Sequence, residues 1–142
     1  MILPDANLLL YAYDQSSPFH ARSKAWCEAM LSGQAQVILV PAVLFAFVRI
    51  STHPRVFQNP LPVAEAAGHV RSWLARKQVR LHEMLEEDIE SALRMLESAG
   101  TAGNLTTDAQ IASVAQRLDA EVHTADLDFG RFPKVRFLNP LR

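Results

Sequence analysis

Apolar residues follow two patterns along this chain, short aliphatic runs and longer segments with a helical repeat. Five runs are short enough to be strands buried in a sheet, at residues 1–3, 37–40, 79–81, 121–124 and 135–138. Between them, apolar side chains recur every three or four positions, at residues 7–13, 19–31, 42–51, 61–75, 83–98 and 108–118. The pattern therefore predicts short strands separated by helices.

Proline, glycine and hydroxyl residues mark where several of these elements begin and end. Pro4 is expected to stop the first strand, and Pro41 suits the first position of a helix. Gly100 is typical of the residue after a helix, and Thr106 or Thr107 can cap the next helix. In the helix at residues 83–98, the apolar side chains expected to point inward are Leu85, Ile89, Leu93 and Leu96.

The order of the elements, with helices between successive strands, favours the α/β class. We predict an α/β/α sandwich around a central, mostly parallel sheet of four or five short strands. The length of 142 residues suits one domain with one core, so residues 1–142 are predicted to form a single domain.

Composition and charge limit the functions that fit. The formal net charge is -1, so any role on nucleic acid needs a local site where metal ions supply positive charge. The single cysteine, Cys27, excludes an intrachain disulfide and favours a reducing compartment. No apolar run approaches the roughly 20 residues that span a bilayer, and the N-terminus lacks a signal-peptide pattern. We expect a cytoplasmic protein without a membrane partner.

Four aspartates stand where the predicted fold could bring them together. In open α/β sheets, ligands bind beyond the carboxyl ends of the strands. Asp5 follows the first strand, and Asp126 and Asp128 follow the strand at residues 121–124. Asp108 begins a helix that can face the same crevice. Crowded carboxylates repel one another, so a divalent cation that prefers oxygen ligands is their natural partner. Such a site suits the hydrolysis of a phosphodiester.

Each aspartate taken alone also fits a structural role. Asp5 could cap a helix, and Asp108 could stabilise a helix dipole. Asp126 and Asp128 could form a turn. The prediction of a site therefore rests on all four occurring together. Three other aspartates are interpreted as structural only: Asp14, Asp88 and Asp119.

Four sequence segments lie in a characteristic order along the chain. They are ILPDANLLLYA at residues 2–12, FVRISTHP at 47–54, GNLTTDAQIASVA at 103–115 and HTADLDFGRF at 123–132. In this order they resemble the PIN-domain family, and in particular its VapC-like toxins. The resemblance implies a metal-dependent endoribonuclease with Mg²⁺ or Mn²⁺, a central parallel sheet, an acidic pocket and a homodimer. It also implies a VapB-like antitoxin as partner.

The resemblance assigns roles to individual residues. Asp5, Asp108 and Asp126 match the catalytic acids and metal ligands of the family. Asp128 would share the metal through water or hold the loop. Supporting polar groups that orient a ligand or a water are expected from Asn7, Thr107 and Thr124.

One position departs from the family pattern. The family usually carries a Glu a few residues before the Arg that Arg49 matches, and the aligned position here is Ala46. The change removes one oxygen ligand, so we expect one weakly held ion before RNA phosphate completes its shell. Loss of catalysis is the alternative that this departure leaves open.

Cationic residues could hold the RNA substrate. Arg49 could reach a phosphate or a pocket acid, or could form a buried ion pair or extend its head to solvent. Arg131, with Lys134 and Arg136, could contact the RNA backbone or be ordinary solvated charge. The five histidines show no metal-binding spacing and are interpreted as structural. Side chains expected in the core or in dimer contacts are Trp26, Trp73 and Phe47.

Two functions therefore stay open from the sequence. The first is an endoribonuclease toxin that cleaves structured RNA such as tRNA in exposed loops and is inhibited by an antitoxin helix in a groove of the N-terminal helices and residues 57–61. The second is a PIN domain without catalysis that serves as a binding or regulatory subunit. A receiver-like domain does not fit, because no Asp follows the strands at residues 37–40 and 79–81.

Overall fold

Five short strands form one sheet through the centre of the protein. The structure, a computed structural model, describes residues 1–142. Every neighbouring pair of strands is parallel, so the predicted α/β fold is confirmed and the sheet is wholly parallel. The strands are β1 (Ile2–Pro4), β2 (Val37–Leu39), β3 (Val79–Leu81), β4 (Glu121–His123) and β5 (Phe137–Leu138), in the spatial order β3-β2-β1-β4-β5.

The helices cover both faces of this sheet. The chain runs from β1 through β2 to β3 in one direction and then returns past β1 to β4. Because parallel crossovers are right-handed, this reversal puts the helices before β3 and those after it on opposite faces. The helices are α1 (Ala6–Tyr13), α2 (His20–Ser32), α3 (Pro41–Ser51), α4 (Val63–Leu74), α5 (Glu86–Ala99) and α6 (Leu105–Leu118). Accordingly α1 packs against α2 and α3, and α5 packs against α6.

The same reversal of strand order creates a crevice between β1 and β4, the usual place for a ligand in a sheet of this kind. β1 pairs with β2 on one side and with β4 on the other, and Pro4 lies opposite His123. Asp5 and Thr124, the residues that follow these two strands, are therefore neighbours at the carboxyl edge.

Burial on both faces explains the uninterrupted aliphatic runs of the strands. Leu3, Ile38 and Val122 are completely buried. Phe47 and Trp73 are buried as well, with ring centroids 4.7 Å apart, so their predicted place in the core is confirmed. No helix of the chain combines the length and the apolar character needed to cross a membrane.

Two element boundaries differ from the sequence-based expectation. Pro4 is the last residue of β1 rather than the residue that stops it. α6 begins at Leu105, so Thr106 and Thr107 lie in its first turn and do not cap it. Asn104 occupies the cap position without a side-chain hydrogen bond.

The predicted inner face of α5 is wrong for three of its four residues, because Leu85, Ile89 and Leu93 are about half exposed. Asp88 and Ala92 face the interior instead. The carboxylate of Asp88 accepts the Leu85 N–H and pairs with the Arg117 guanidinium, at 2.8 Å from each donor. This buried ion pair between α5 and α6 fixes the rotation of α5 and leaves an apolar stripe on its outer surface.

Candidate metal centre

Asp5 connects the end of β1 to the start of α1 and uses its two carboxylate oxygens differently. Oδ1 accepts the Ala6 N–H at 2.7 Å and caps α1. Oδ2 accepts the Thr124 hydroxyl at 2.8 Å and the Asn7 amide at 3.2 Å. The structural and the functional interpretation of Asp5 are therefore compatible, since one oxygen caps the helix while the other faces the crevice.

Thr124 links the two sides of the crevice. Its hydroxyl donates to Asp5 and accepts the Asp126 N–H at 2.9 Å, and the Asn7 amide nitrogen lies 3.3 Å away. The Asn7 side-chain oxygen in turn accepts the Ala125 N–H at 3.3 Å. The buried Thr124 hydroxyl thus holds a carboxylate from the end of the first strand against a backbone segment more than 100 residues later.

Three further aspartates converge beside this network. Asp126 and Asp128 lie at the start of a 3₁₀ helix (Leu127–Arg131), where Asp126 Oδ1 accepts the Asp128 N–H at 2.8 Å. Asp108 lies in the first turn of α6 and is almost fully buried. Each of these three residues offers one carboxylate oxygen, and the three oxygens lie within 4.8 Å of one another.

Burial and the neighbouring negative charges raise the pKa values of two of these carboxyl groups, Asp108 and Asp5. Burial, together with the neighbouring charges of Asp5, Asp126 and Asp128, raises the pKa of Asp108 to about 7. Burial also raises the pKa of Asp5, helped by the charge of Asp126 and opposed by the hydrogen bonds from Thr124 and Ala6. All four acids therefore belong to one electrostatic unit.

A divalent cation fits this donor set. The available donors are carboxylate oxygens, which Mg²⁺ and Mn²⁺ prefer, and no basic side chain forms an ion pair with any of the four acids. Positive charge is the missing component of the cluster. α3, which carries Ala46 at the position of the usual family Glu, contributes no carboxylate because residues 41–51 contain none.

The other predicted site residues take no part in the hydrogen bonds of the cluster. Thr107 is exposed, and its hydroxyl is not hydrogen-bonded to any of the acids. Arg49 is exposed on α3 without an ion pair, so the buried ion pair considered for it is absent. Arg131 ends the 3₁₀ helix and is exposed, whereas Arg136 pairs with Asp119 at 3.0 Å.

Sequence reasoning missed the 3₁₀ helix and the two backbone N–H groups of the crevice. The N–H groups of Ala125 and Asp126 donate to Asn7 and Thr124 and fix the loop after β4. The only local signal for this helix was the segment Asp126-Leu127-Asp128, because an aspartate can begin a turn by accepting a nearby backbone N–H. Trp26 was also incompletely predicted, because it is half-buried and donates its indole N–H to His123 Nδ1 at 3.0 Å.

Metal binding is expected to strengthen as the pH rises toward 7. In the metal-free protein, the raised pKa of Asp108 means that the folded state holds a proton that the unfolded state loses near its usual pKa of 3.8. The stability that this proton gives is therefore present at low pH and lost as the pH rises through about 7. A cation must displace the same proton. Titration calorimetry with Mn²⁺ should show an affinity that rises by up to about tenfold per pH unit below 7 and then levels off.

The Asp108→Asn variant is the control for this pH dependence. Its weaker Mn²⁺ affinity should vary less between pH 5.5 and 8 than that of the unaltered protein, because the group with a pKa of about 7 is gone. An equal affinity of the unaltered protein at both pH values would contradict the coupling of proton and metal.

Thr124→Val is expected to weaken Mn²⁺ binding by about 10–100-fold, the usual effect of removing a group that orients a metal ligand. The variant loses the hydroxyl that donates to Asp5 and accepts the Asp126 N–H. Thr124→Ser keeps the hydroxyl and should restore most of the affinity, measured by calorimetry at pH 7.5. Equal Mn²⁺ affinities of the Val and Ser variants would show that the hydroxyl does not position the acids.

Fold and site together define a three-layer α/β protein with an acidic centre at the point where a parallel sheet reverses its strand order. A sequence model of the PIN domain matches residues 2–135. The chain therefore belongs to the PIN-domain family, and its full-length relatives carry the VapC name, so the resemblance of the four segments is confirmed.

The chain is similar over its full length to two ribonucleases of Mycobacterium tuberculosis. It is 42% identical to ribonuclease VapC33 over 142 residues, which cover 100% of this chain and 99% of the relative. It is 38% identical to ribonuclease VapC37 over 140 residues, which cover 99% of this chain and 97% of the relative.

Solved structures share the fold. VapC20 of Mycobacterium tuberculosis, described as a Sarcin-Ricin loop cleaving toxin, superposes with a TM-score of 0.70 at 18% identity, covering 96% of this chain and 99% of that chain. VapBC2 of Rickettsia felis, solved with a DNA fragment from its promoter, gives a TM-score of 0.68 at 18% identity and covers 98% of each chain.

Proposed function

We propose that this protein is a metal-dependent endoribonuclease and the toxin of a toxin–antitoxin pair. The observation that carries the proposal is the convergence of four electrostatically coupled aspartates at the crevice between β1 and β4. The full-length similarity to two ribonucleases supports RNA as the substrate class. Both relatives carry the VapC name, which supports the toxin role.

Asp5, Asp108, Asp126 and Asp128 would hold Mg²⁺ or Mn²⁺. When bound, the ion would supply the Lewis acid that phosphodiester hydrolysis needs. Hydrogen bonds from Thr124 and Asn7 fix the orientation of the Asp5 carboxylate before the substrate binds. Asp5 and Asp108 are buried, whereas Asp126 is half-buried and Asp128 is exposed, so the centre is open to solvent and to substrate on the side of Asp128.

Two arginines are proposed to hold the RNA at the edges of this centre. Both Arg49 and Arg131 are exposed and without an acidic partner. Arg131 is attached to the acidic cluster through its 3₁₀ helix, whereas Arg49 lies eight positions after the first residue of α3, about 12 Å along its axis. The geometry therefore favours Arg131 as the nearer contact for an RNA phosphate.

A VapB-like antitoxin is proposed to occupy the groove between α1, α2 and α4. The groove has a volume of about 700 Å³, and its apolar wall includes Tyr13, Cys27, Leu31 and Leu61. The toxin–antitoxin complexes among the structural neighbours support such a partner. Phe57, which was expected to contribute apolar surface here, is buried instead.

We also propose a homodimer and a cytoplasmic location. The stripe formed by Leu85, Ile89 and Leu93 at the start of α5 is one apolar surface that could pack against a second copy, since each of these side chains is 45–51% exposed. Sedimentation of the purified protein tests the dimer. The substitution Ile89→Asp, which places a charge in the middle of this stripe, should shift the protein to the monomer.

A PIN domain without catalysis is the second candidate, and Ala46 is the observation that favours it. A panel of RNAs, including tRNA, incubated with Mn²⁺ or Mg²⁺ and with excess EDTA separates the two. Cutting that requires the cation supports the endoribonuclease. Pure, folded protein that binds an antitoxin but cuts no RNA supports the regulatory subunit.

A further inference from the structure

A second, basic cleft lies on the flank of the molecule between α5, α6 and the segment after the 3₁₀ helix. It has a volume of about 280 Å³. Arg94, Arg131 and Lys134 line it, and no acidic residue does. In a chain whose formal net charge is -1, three cations around one cleft without an acid are a local concentration of positive charge.

These cations are free to bind an anion. Arg131 and Lys134 are exposed and form no ion pair. Arg94 pairs only with Glu90, at 3.1 Å, and both side chains are more than half exposed. Such an exposed pair contributes little to stability, so a more highly charged ligand can compete with Glu90.

The remaining lining suits a nucleic-acid backbone. Ser91, Ser98 and Gln116 place hydroxyl and amide donors beside the three cations. These groups can donate to phosphate oxygens and to ribose hydroxyls. Met95, Phe132 and Pro133 provide apolar surface for the sugar.

The cleft is connected to the acidic centre by two elements. A 3₁₀ helix has three residues per turn, so Asp128 and Arg131 lie on the same side of it, about 6 Å apart along the axis. On α6, Asp108 and Gln116 are eight positions apart, or about 12 Å. A strand whose scissile phosphate lies at the four aspartates can therefore place a neighbouring phosphate in the cleft.

We propose that this cleft binds a backbone phosphate of the RNA substrate next to the one that is cleaved. The inference rests on the proposed endoribonuclease activity and extends it, because it explains how a nearly neutral protein retains RNA at an acidic centre. Charge on the cleft would compensate the repulsion between the aspartates and the polyanion. An acidic peptide is the other anion that such a surface could hold. RNA is favoured because Arg131 of the cleft and Asp128 of the acidic centre lie on the same side of one 3₁₀ helix.

The test compares RNA binding by the unaltered protein and the double variant Arg131→Ala/Lys134→Ala. Binding of a fluorescein-labelled single-stranded 20-nucleotide RNA is followed by anisotropy in EDTA, so that nothing is cleaved. The double variant should bind about tenfold more weakly at low salt, and the slope of log affinity against log salt should fall by about 0.7, the value for the loss of one phosphate contact on a single strand. Arg71→Ala, which removes an exposed arginine from α4, should change neither quantity.

Two additions make the result specific. The swapped variant Arg131→Lys/Lys134→Arg keeps the charge and should retain the affinity and the slope. In Mn²⁺, the double variant should raise the KM for the 20-nucleotide RNA.

The outcomes separate this proposal from the activity on which it rests. RNA that binds equally to the double variant and to the unaltered protein overturns the cleft, whether or not the protein cleaves. Weaker binding of the double variant supports the cleft even if no RNA is cut, in which case only the nuclease fails. If the double variant binds RNA as the unaltered protein does but no longer binds a polyglutamate peptide, the cleft belongs to an acidic partner and the proposal is overturned.

Discussion

Replacing Asp108 by Asn is expected to abolish RNA cleavage and to raise the stability of the metal-free protein at the same time. The Asp108 carboxylate accepts no hydrogen bond, so the amide fits without disturbing a contact. The substitution removes a ligand from the cluster and should lower the cleavage rate by more than about 100-fold, the upper end of the effect of losing a supporting group. At pH 8 it also removes a buried charge that repels Asp5, Asp126 and Asp128. Cleavage assays in Mn²⁺ and thermal unfolding in EDTA measure the two effects.

Asp119→Asn is the matched control for this variant. Asp119 is exposed and adopts a left-handed backbone conformation with φ of 53°, which Asn tolerates well. Neither the cleavage rate nor the melting temperature should change appreciably. An Asp108→Asn protein that cleaves RNA at the normal rate would remove Asp108 from the centre and refute the proposed metal site.

Arg117→Ala is expected to cause the largest loss of stability among the surface-accessible residues. Arg117 Nε lies 2.8 Å and 3.0 Å from the two oxygens of Asp88, whose side chain is only 2% exposed. Removing one partner of a buried pair leaves an uncompensated charge and costs roughly 3–5 kcal/mol. Because the Arg117 side chain is 22% exposed and water can partly replace it, the lower end, about 3 kcal/mol, is expected. Urea unfolding at pH 7.5 measures the change in the free energy of unfolding.

The exposed pair of Arg94 and Glu90 on helix α5 provides the comparison. Arg94→Ala should change the free energy of unfolding by less than about 0.5 kcal/mol, as is usual for an exposed pair four positions apart. Equal losses in the two variants would mean that burial of Asp88 does not determine the strength of its pair.

The strands and most helices could be predicted because local composition determines them. Residues 37–39 form a continuous aliphatic run, and a buried parallel strand needs just such a run. The position of Asp5 after β1 was equally local. The convergence of Asp5 with Asp126 followed from the rule that parallel strands end at a shared edge.

The parts that could not be predicted depend on contacts between distant segments. The apolar stripe of α5 indicated an inner face at Leu85, Ile89 and Leu93, but the pairing of Asp88 with Arg117 turns that face outward. A charged residue on a helix is normally exposed, so nothing local marked Asp88 as buried. The basic cleft was equally invisible, because Arg94 and Lys134 are 40 positions apart in sequence and meet only when α5 packs beside the 3₁₀ helix.

The pairing of β1 with β4 has a consequence for the synthesis of the protein. β1 is translated first and occupies the middle of the sheet, yet one of its two neighbours begins at Glu121. The bond from Thr124 to Asp5 joins residues 119 positions apart, so a nascent chain cannot assemble the acidic centre until Thr124 has left the ribosome. Contacts of such long sequence separation also form late in folding. The growing polypeptide therefore has no complete acidic centre before Thr124 has been synthesised and has paired with Asp5.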